Sequence, residues 1–187
     1  MFGAINETTK LQSLSLGVVN LTGVDKDTLA AGINLLQSVE LRAIILTDEQ
    51  LNKMFGEIKE TTKLQTLTLV GVKLSGVDKN TLAAGINQLQ SVKMHYSCLL
   101  TDDQLNTMFG AINETTKLQS LSLGGINLRG VDKDILAAGI NKLQSVKMHN
   151  SCLLTDEQLN KMFGAINETT KLFFWTLILL STVSMIV

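Results

Sequence analysis

The side chains best equipped for chemistry come as a repeated set. Met94-His95-Tyr96-Ser97-Cys98 returns 54 residues further on as Met148-His149-Asn150-Ser151-Cys152. Two thiols invite a disulfide, and two imidazoles beside them invite a metal ion. Each has a fixed geometry. A disulfide needs Cα atoms within about 7 Å of each other, and zinc needs its nitrogens about 2 Å from one shared centre. The outcome therefore depends on how far apart the chain holds the two copies. Other motifs are weaker. Asn6, Asn113 and Asn167 in Asn-Glu-Thr, with Asn20 in Asn-Leu-Thr, match the N-glycosylation tripeptide, but three of the four descend from one duplicated segment and count once. The glycines of GVVNL and GGINL belong to neither a GxGxxG nor a P-loop lysine pattern. No Ser/His/Asp set, paired-carboxylate cleft or zinc-spaced cluster stands out, so the chain reads as non-enzymatic, with no cofactor and no metal.

Composition narrows the field of partners. Of 187 residues, 45% are apolar, enough for a core, and the formal charge is −1. Sixteen basic residues against seventeen acidic ones, with no run of like charge, leave no field to draw nucleic acid or an anionic membrane surface. Proline is absent, and no Gly/Ser tract or acidic block marks a linker before the apolar C-terminal stretch. The opening MFGAINETTK has no basic region, apolar core or cleavage site of the secretory kind, so the Asn tripeptides are expected to stay unmodified.

What positions the histidines and cysteines is an internal repeat. LTDEQLNKMFGEIKETTKLQTLTLVGVKLSGVDKNTLAAGINQLQSV, from Leu46, returns from Leu100 as LTDDQLNTMFGAINETTKLQSLSLGGINLRGVDKDILAAGINKLQSV and starts again at Leu154. The period is 54 residues, or 53 where VELRAIILT stands for VKMHYSCLLT. Each unit holds two related halves, beginning at Leu11, Leu36, Leu64, Leu89, Leu118, Leu143 and Leu172. The first type reads LQSLSLGVVNL, LQTLTLVGVKL and LQSLSLGGINL, with leucine at positions 1, 4, 6 and 11. The second reads LQSVELRAIIL and, with one inserted residue, LQSVKMHYSCLL and LQSVKMHNSCLL.

Aliphatic positions 4 and 6 around a polar position 5 predict a short strand that buries one face. A helical pattern follows each strand. Thr47, Thr101 and Thr155 stand three residues before Gln50, Gln104 and Gln158, the spacing of a capping box, and Leu51, Phe55 and Ile58 then recur at i, i+4 and i+7. After first-type strands, Leu29 and Ile33 mark a shorter, Ala/Gly-rich helix that is expected to approach its strand closely. One strand–helix unit cannot bury its apolar side alone. The units must therefore stack, strands into a parallel sheet and helices into an outer row.

This pattern resembles the leucine-rich repeat, LxxLxLxx(N/C)xL, and the half-unit spacings of 25, 28 or 29 residues fall in its range. The alternation of two types with outer helices is similar to the ribonuclease-inhibitor class, which also supplies the ligand-sensing ends of NACHT-type immune receptors. The resemblance covers nearly the whole chain. It implies an α/β solenoid, a horseshoe segment of about six full repeats plus a seventh strand, with parallel strands on the concave face and helices on the convex face. It also implies a role in binding another protein, with no catalytic residues to carry over.

On that framework Cys98 and Cys152 take the slot that Ile44 fills in the first copy. Two strand spacings of about 4.8 Å put them roughly 10 Å apart, too far for a disulfide. Buried free thiols are expected, which suits a reducing, cytoplasmic compartment. His95 and His149, on the open face, fall under the same spacing and are expected to be solvated and too far apart to share a metal ion. The expected protein-binding surface is the set that second-type strands present in adjacent rows: Glu40, Arg42, Lys93, His95, Tyr96, Lys147, His149 and Asn150. Large, rigid or charged groups of this kind dominate interface energies.

The two ends are expected to be atypical. Met1 to Asn6 repeats Met162 to Asn167, so the chain starts inside a repeat helix with no polar capping unit, as a segment of a larger receptor or regulatory protein would. Uncapped ends can pair with another copy through edge strands. Residues 1–171 form the solenoid and 172–187 an apolar tail, in which Leu172, Trp175 and Leu177 fit positions 1, 4 and 6 of a seventh strand reaching about residue 179. The alternative is a membrane anchor. As one helix the tail would span only about 24 Å of a roughly 30 Å hydrocarbon core, and ETTK is short for a lipid-anchor spacer.

Overall fold

The computed structural model describes residues 2–5, 10–60, 62–96, 98–113, 115–149, 152–165 and 174–177. Strands and helices alternate from end to end. The strands are β1 (Ser13–Gly17), β2 (Ser38–Arg42), β3 (Thr66–Val70), β4 (Ser91–His95), β5 (Ser120–Gly124), β6 (Ser145–His149) and β7 (Phe174–Leu177). The helices are α1 (Lys26–Asn34), α2 (Asp48–Glu60), α3 (Lys79–Gln88), α4 (Asp102–Gly110), α5 (Lys133–Asn141) and α6 (Asp156–Ala165), with a short 3-10 turn, Phe2–Ala4, before β1. All seven strands lie in chain order, each parallel to the next, with β1 and β7 at the two ends of the sheet. This is an α/β repeat solenoid, not a closed barrel.

Register repeats residue for residue, and it turns the sequence pattern into two faces. Leu14, Val39, Leu67, Val92, Leu121 and Val146 form one row, and Leu16, Leu41, Leu69, Met94, Leu123 and Met148 the next. From β2 to β6 both rows are buried in one continuous core with Leu29, Ile33, Leu51, Phe55 and Ile58 of the helices. On edge strand β1, Leu14 and Leu16 are only partly covered. The tail joins this order, since Phe174 to Leu177 pairs with Ser145 to Met148 as a seventh strand. Leu172 and residues 178–187 lie outside the described residues. Among those described, no helix is long and apolar enough to cross a membrane.

The capping boxes form, and they carry a second task that spacing alone does not reveal. Thr101 Oγ1 accepts from Gln104 N at 3.1 Å, and Gln104 Oε1 accepts from Thr101 N at 2.9 Å. Thr47 with Gln50 and Thr155 with Gln158 do the same. Each glutamine Nε2 then donates to two carbonyls of the preceding unit. The acceptors are Leu21 and Val24 at 2.9 and 2.6 Å, Leu74 and Val77 at 2.9 and 2.7 Å, and Leu128 and Val131 at 2.7 Å each. One buried amide thus closes a helix start and pins the neighbouring turn. Without it the Val24, Val77 and Val131 carbonyls would lose this bond in the interior, at about 1–3 kcal/mol for each orphaned group, while those of Leu21, Leu74 and Leu128 would keep only the turn bond from the valine N–H three residues on.

Two expectations need correction. First-type helices are not uniformly the shorter ones: α1 and α5 have 9 residues and α3 has 10, while α2 has 13 but α4 only 9. Helix α2 continues through Glu57, Lys59 and Glu60, good helix formers, with Lys53 Nζ 3.0 Å from Glu57. The corresponding stretch after α4 holds Asn113, whose Oδ1 accepts from Thr115 N at 2.8 Å and Thr115 Oγ1 at 2.7 Å. That local turn competes with helix continuation. Second, the Ala/Gly-rich helices make their close approach to the preceding helix, not to their strand. A Cβ on Gly85 would stand 2.9 Å from the Phe55 carbonyl oxygen, and one on Gly139 would stand 2.7 Å from that of Phe109.

Candidate functional site

The face of the sheet away from the helices carries two further rows. One runs Ser15, Glu40, Thr68, Lys93, Ser122, Lys147; the other runs Gly17, Arg42, Val70, His95, Gly124, His149. Its β2 end neutralises itself. Arg42 Nη2 meets Glu40 Oε1 at 2.5 Å, and Ser15 Oγ donates to Glu40 Oε2 at 2.8 Å. The Arg42 guanidinium first, and then the Ser15 hydroxyl, hold the Glu40 carboxyl below its ordinary range. Of the predicted contact residues, Glu40 and Arg42 therefore form a unit of their own.

At β4, β5 and β6 the balance differs. Lys93 and Lys147 flank Ser122 in register, and His95 and His149 flank Gly124. Both lysines are exposed, and neither has an ion-pair partner among the described residues. The imidazoles do not stand as far apart as strand spacing predicts. Their ring centroids are 4.4 Å apart, edge to face at 84°. Gly124 is the cause: it puts no side chain between them, and a Cβ there would lie 3.3 Å from both His95 Cγ and His149 Cε1. Both Nε2 atoms converge on one hydroxyl, Ser122 Oγ, at 3.0 Å from His95 and 3.3 Å from His149. The expectation of solvated histidines held apart by the strand spacing is thus overturned for their rings. The rings are half-buried and joined through a serine that they cover.

Ser122 and Gly124 are the residues that sequence reasoning missed. A signal was present: at the same positions β3 carries Thr68 and Val70, and β1, which carries Ser15 and Gly17, is paired with β2 and not with a histidine strand, so a small hydroxyl and a missing side chain fall between two histidines at β5 alone. Chemically, Ser122 has one proton to give, so between neutral rings one imidazole accepts from it and the other donates to it. Burial first, and then the nearby His149, Lys93 and Arg42, hold His95 below its ordinary pKa and favour its neutral form. A Ser–His hydrogen bond is half of a nucleophile–base arrangement. The charges that bear on His95 are basic, however, whereas a catalytic base of that kind is oriented by a carboxylate. Among the described residues, no group of three or more His, Cys, Asp or Glu side chains could hold a metal ion.

The remaining predicted residues lie around this cluster. Tyr96 leaves the strand at φ 51°, its ring 6.2 Å from that of His95 and its side chain exposed. Val18, Ala43, Gly71 and Gly125 share that left-handed position after β1, β2, β3 and β5, so the first five strands exit through the same turn. Asn150 lies outside the described residues. The cysteines sit behind this turn as free thiols. Cys98 Sγ donates to the Leu69 and His95 carbonyls at 3.5 Å each, and Cys152 Sγ donates to that of Leu123 at 3.4 Å. Burial pushes both thiols up. At the other end of the strands lies a groove of about 490 Å³ bounded by Gln12, Gln37, Gln65, Gln90, Lys63 and Lys117. Its lining has no imidazole, thiol or carboxylate, so the histidine cluster is the better candidate. No protein-family model matches the chain, and neither does any curated protein.

Proposed function

We propose that this chain is a non-enzymatic interaction module, similar to a leucine-rich repeat segment of the ribonuclease-inhibitor class, and that another protein docks on its strand-lined open face. One observation carries the reading. The helix-side rows of the sheet are buried from β2 to β6, while the opposite rows offer exposed Arg42, Lys93 and Lys147 and half-buried imidazoles on hydrogen-bonded strands. Groups already held in place lose little freedom when a partner covers them. The resemblance to the ligand-sensing ends of NACHT-type receptors favours a role in a receptor or regulatory assembly, as an analogy of fold. Two free thiols favour the cytoplasm.

The test is capture by the immobilised full chain, comparing the combined Arg42→Ala, His95→Ala, Tyr96→Ala and His149→Ala variant with a helix-row variant, Lys53→Ala with Lys161→Ala. Partners lost only from the open-face variant support the assignment. Partners lost only from the helix-row variant move the contact to the outer side and overturn it.

A further inference from the structure

We propose that Lys93, His95, Ser122, Lys147 and His149 form a recognition site for a phosphate monoester, a tetrahedral dianion carried by a phosphorylated side chain or met as free phosphate. The inference stands apart from the docking reading, because it concerns the chemistry of one patch and can be tested without any protein partner.

The register supplies the geometry. Lys93 and Lys147 leave the sheet on either side of Ser122, about 10 Å apart at their Cα atoms. Their flexible four-carbon stems let both ammonium groups bend over the same point. The nearest carboxylate in that row, Glu40, is hydrogen-bonded to Arg42 and Ser15, and its attraction to Lys93 is weaker than its hold on either. Two positive charges with no ion-pair partner among the described residues match a dianion better than a single carboxylate.

The histidine pair adds directed donors. His95 turns Cγ and Cδ2 toward Gly124 and Nε2 toward Ser122, which leaves Nδ1 on the outward edge of its ring. When this ring accepts from Ser122, its own proton sits on Nδ1, on the side of the ring away from that serine. A protonated ring would donate at both nitrogens and add charge. The groups facing the cluster are Arg42 and Glu40 on β2, Lys93 and Tyr96 at β4, and Lys147 on β6; β3 and β5 present no titratable side chain to it. That field also decides between an anion and a metal. Two imidazole nitrogens near one hydroxyl resemble part of a zinc site, but the flanking lysines repel a dication and attract a dianion.

The chain has only two histidines, so its proton–carbon spectrum holds one Cε1–H signal for each ring. Inorganic phosphate is titrated into the full chain at constant ionic strength, with sodium chloride as the reference. A short phosphoserine peptide and its unphosphorylated twin are titrated in parallel. Saturable displacement of both signals by phosphate and by the phosphopeptide, but not by the twin, is expected. The combined Lys93→Ala and Lys147→Ala variant should weaken binding at least tenfold, whereas Lys63→Ala with Lys117→Ala, in the distant groove, should leave it unchanged. A phosphopeptide bound tenfold more tightly than phosphate assigns the source to a phosphorylated protein, and equal affinities assign it to the free ion. Displacement that chloride reproduces, that survives loss of Lys93 and Lys147, or that zinc chloride produces in place of phosphate would overturn the proposal.

Discussion

Gln104 offers the sharpest test of what holds consecutive units together. Substituting Gln104→Leu keeps the approximate shape and removes every polar contact of the amide. Val77 O then loses its bond at 2.7 Å, Leu74 O keeps only the one from Val77 N at 2.9 Å, and Thr101 N loses its acceptor. One orphaned buried carbonyl, one lost second bond and one lost cap bond together come to roughly 3–4 kcal/mol. Apolar burial by the new side chain offsets part of this, leaving a net loss of about 2 kcal/mol. With a urea slope near 2 kcal/mol/M that is a midpoint shift of about 1 M. Amide exchange should speed up at residues 74–78 and 101–104 and stay unchanged at the equivalent Leu128–Val131 turn. A midpoint within about 0.2 M of the parent chain, or exchange accelerated evenly along the array, would refute the idea that this amide is the local pin.

Gln104→Glu refines the same test through its sign. The carboxylate still accepts from Thr101 N but presents no proton to the Leu74 and Val77 carbonyls, in a site that is 3% exposed. Its folded-state pKa must therefore rise above the unfolded value of about 4.3. A raised pKa means that the folded state holds the proton more tightly. The variant is thus nearest to the parent in stability below that value and falls behind as pH rises through the folded pKa. A stability difference that is constant from pH 4 to pH 8 is incompatible with a buried carbonyl pair facing the side chain.

Val18 is β-branched, 85% exposed and held at φ 54°, so Val18→Gly should stabilise the chain by about 1 kcal/mol in thermal or urea melts. Gly139→Ala should destabilise it by more than about 2 kcal/mol, because the new Cβ meets the Phe109 carbonyl oxygen at 2.7 Å and helix α5 must move off α4. Gly17→Ala, with open space around it, should stay within about 0.5 kcal/mol of the parent. Because burial depresses His95, the unfolded chain binds more protons near pH 6.5, so stability should fall as pH drops through that region, and His95→Gln should flatten the dependence. The buried, upward-shifted Cys98 thiol should react with a disulfide reagent only at the rate of local opening, at pH 8 more slowly than free cysteine by orders of magnitude.

The repeat carries the fold openly in the sequence because burial is periodic. Val39 and Leu41 must face the helices, and every equivalent pair repeats that constraint, so strand positions, register and capping threonines can be read from the residues alone. What could not be read comes from contacts between units. Nothing in Thr101-Asp102-Asp103-Gln104 says that the glutamine reaches 30 residues back to Leu74 O, since the capping spacing is already satisfied within the helix. Nor does Ala-Gly-Ile say whether small residues face a strand or the preceding helix. The histidines were misplaced for a simpler reason: strand spacing sets the distance between Cα atoms, and side chains lean into any gap that a neighbour leaves.

That gap shows how the two repeat types divide the work. Second-type strands supply large and charged groups, and first-type strands set whether those groups meet. Between β2 and β4 the intervening residue is Val70, which stands between Arg42 and His95. Between β4 and β6 it is Gly124, and the imidazoles close over it to 4.4 Å. Strands of one repeat pattern therefore present different surfaces, and the step from Val70 to Gly124 is what removes the side chain from between the two rings. Gly124→Val should part the rings, break at least one of the two bonds to Ser122 and return both histidines toward independent solvation. Two-bond histidine couplings that still report paired Nε2 atoms in that variant would mean that something other than the missing side chain holds the rings together.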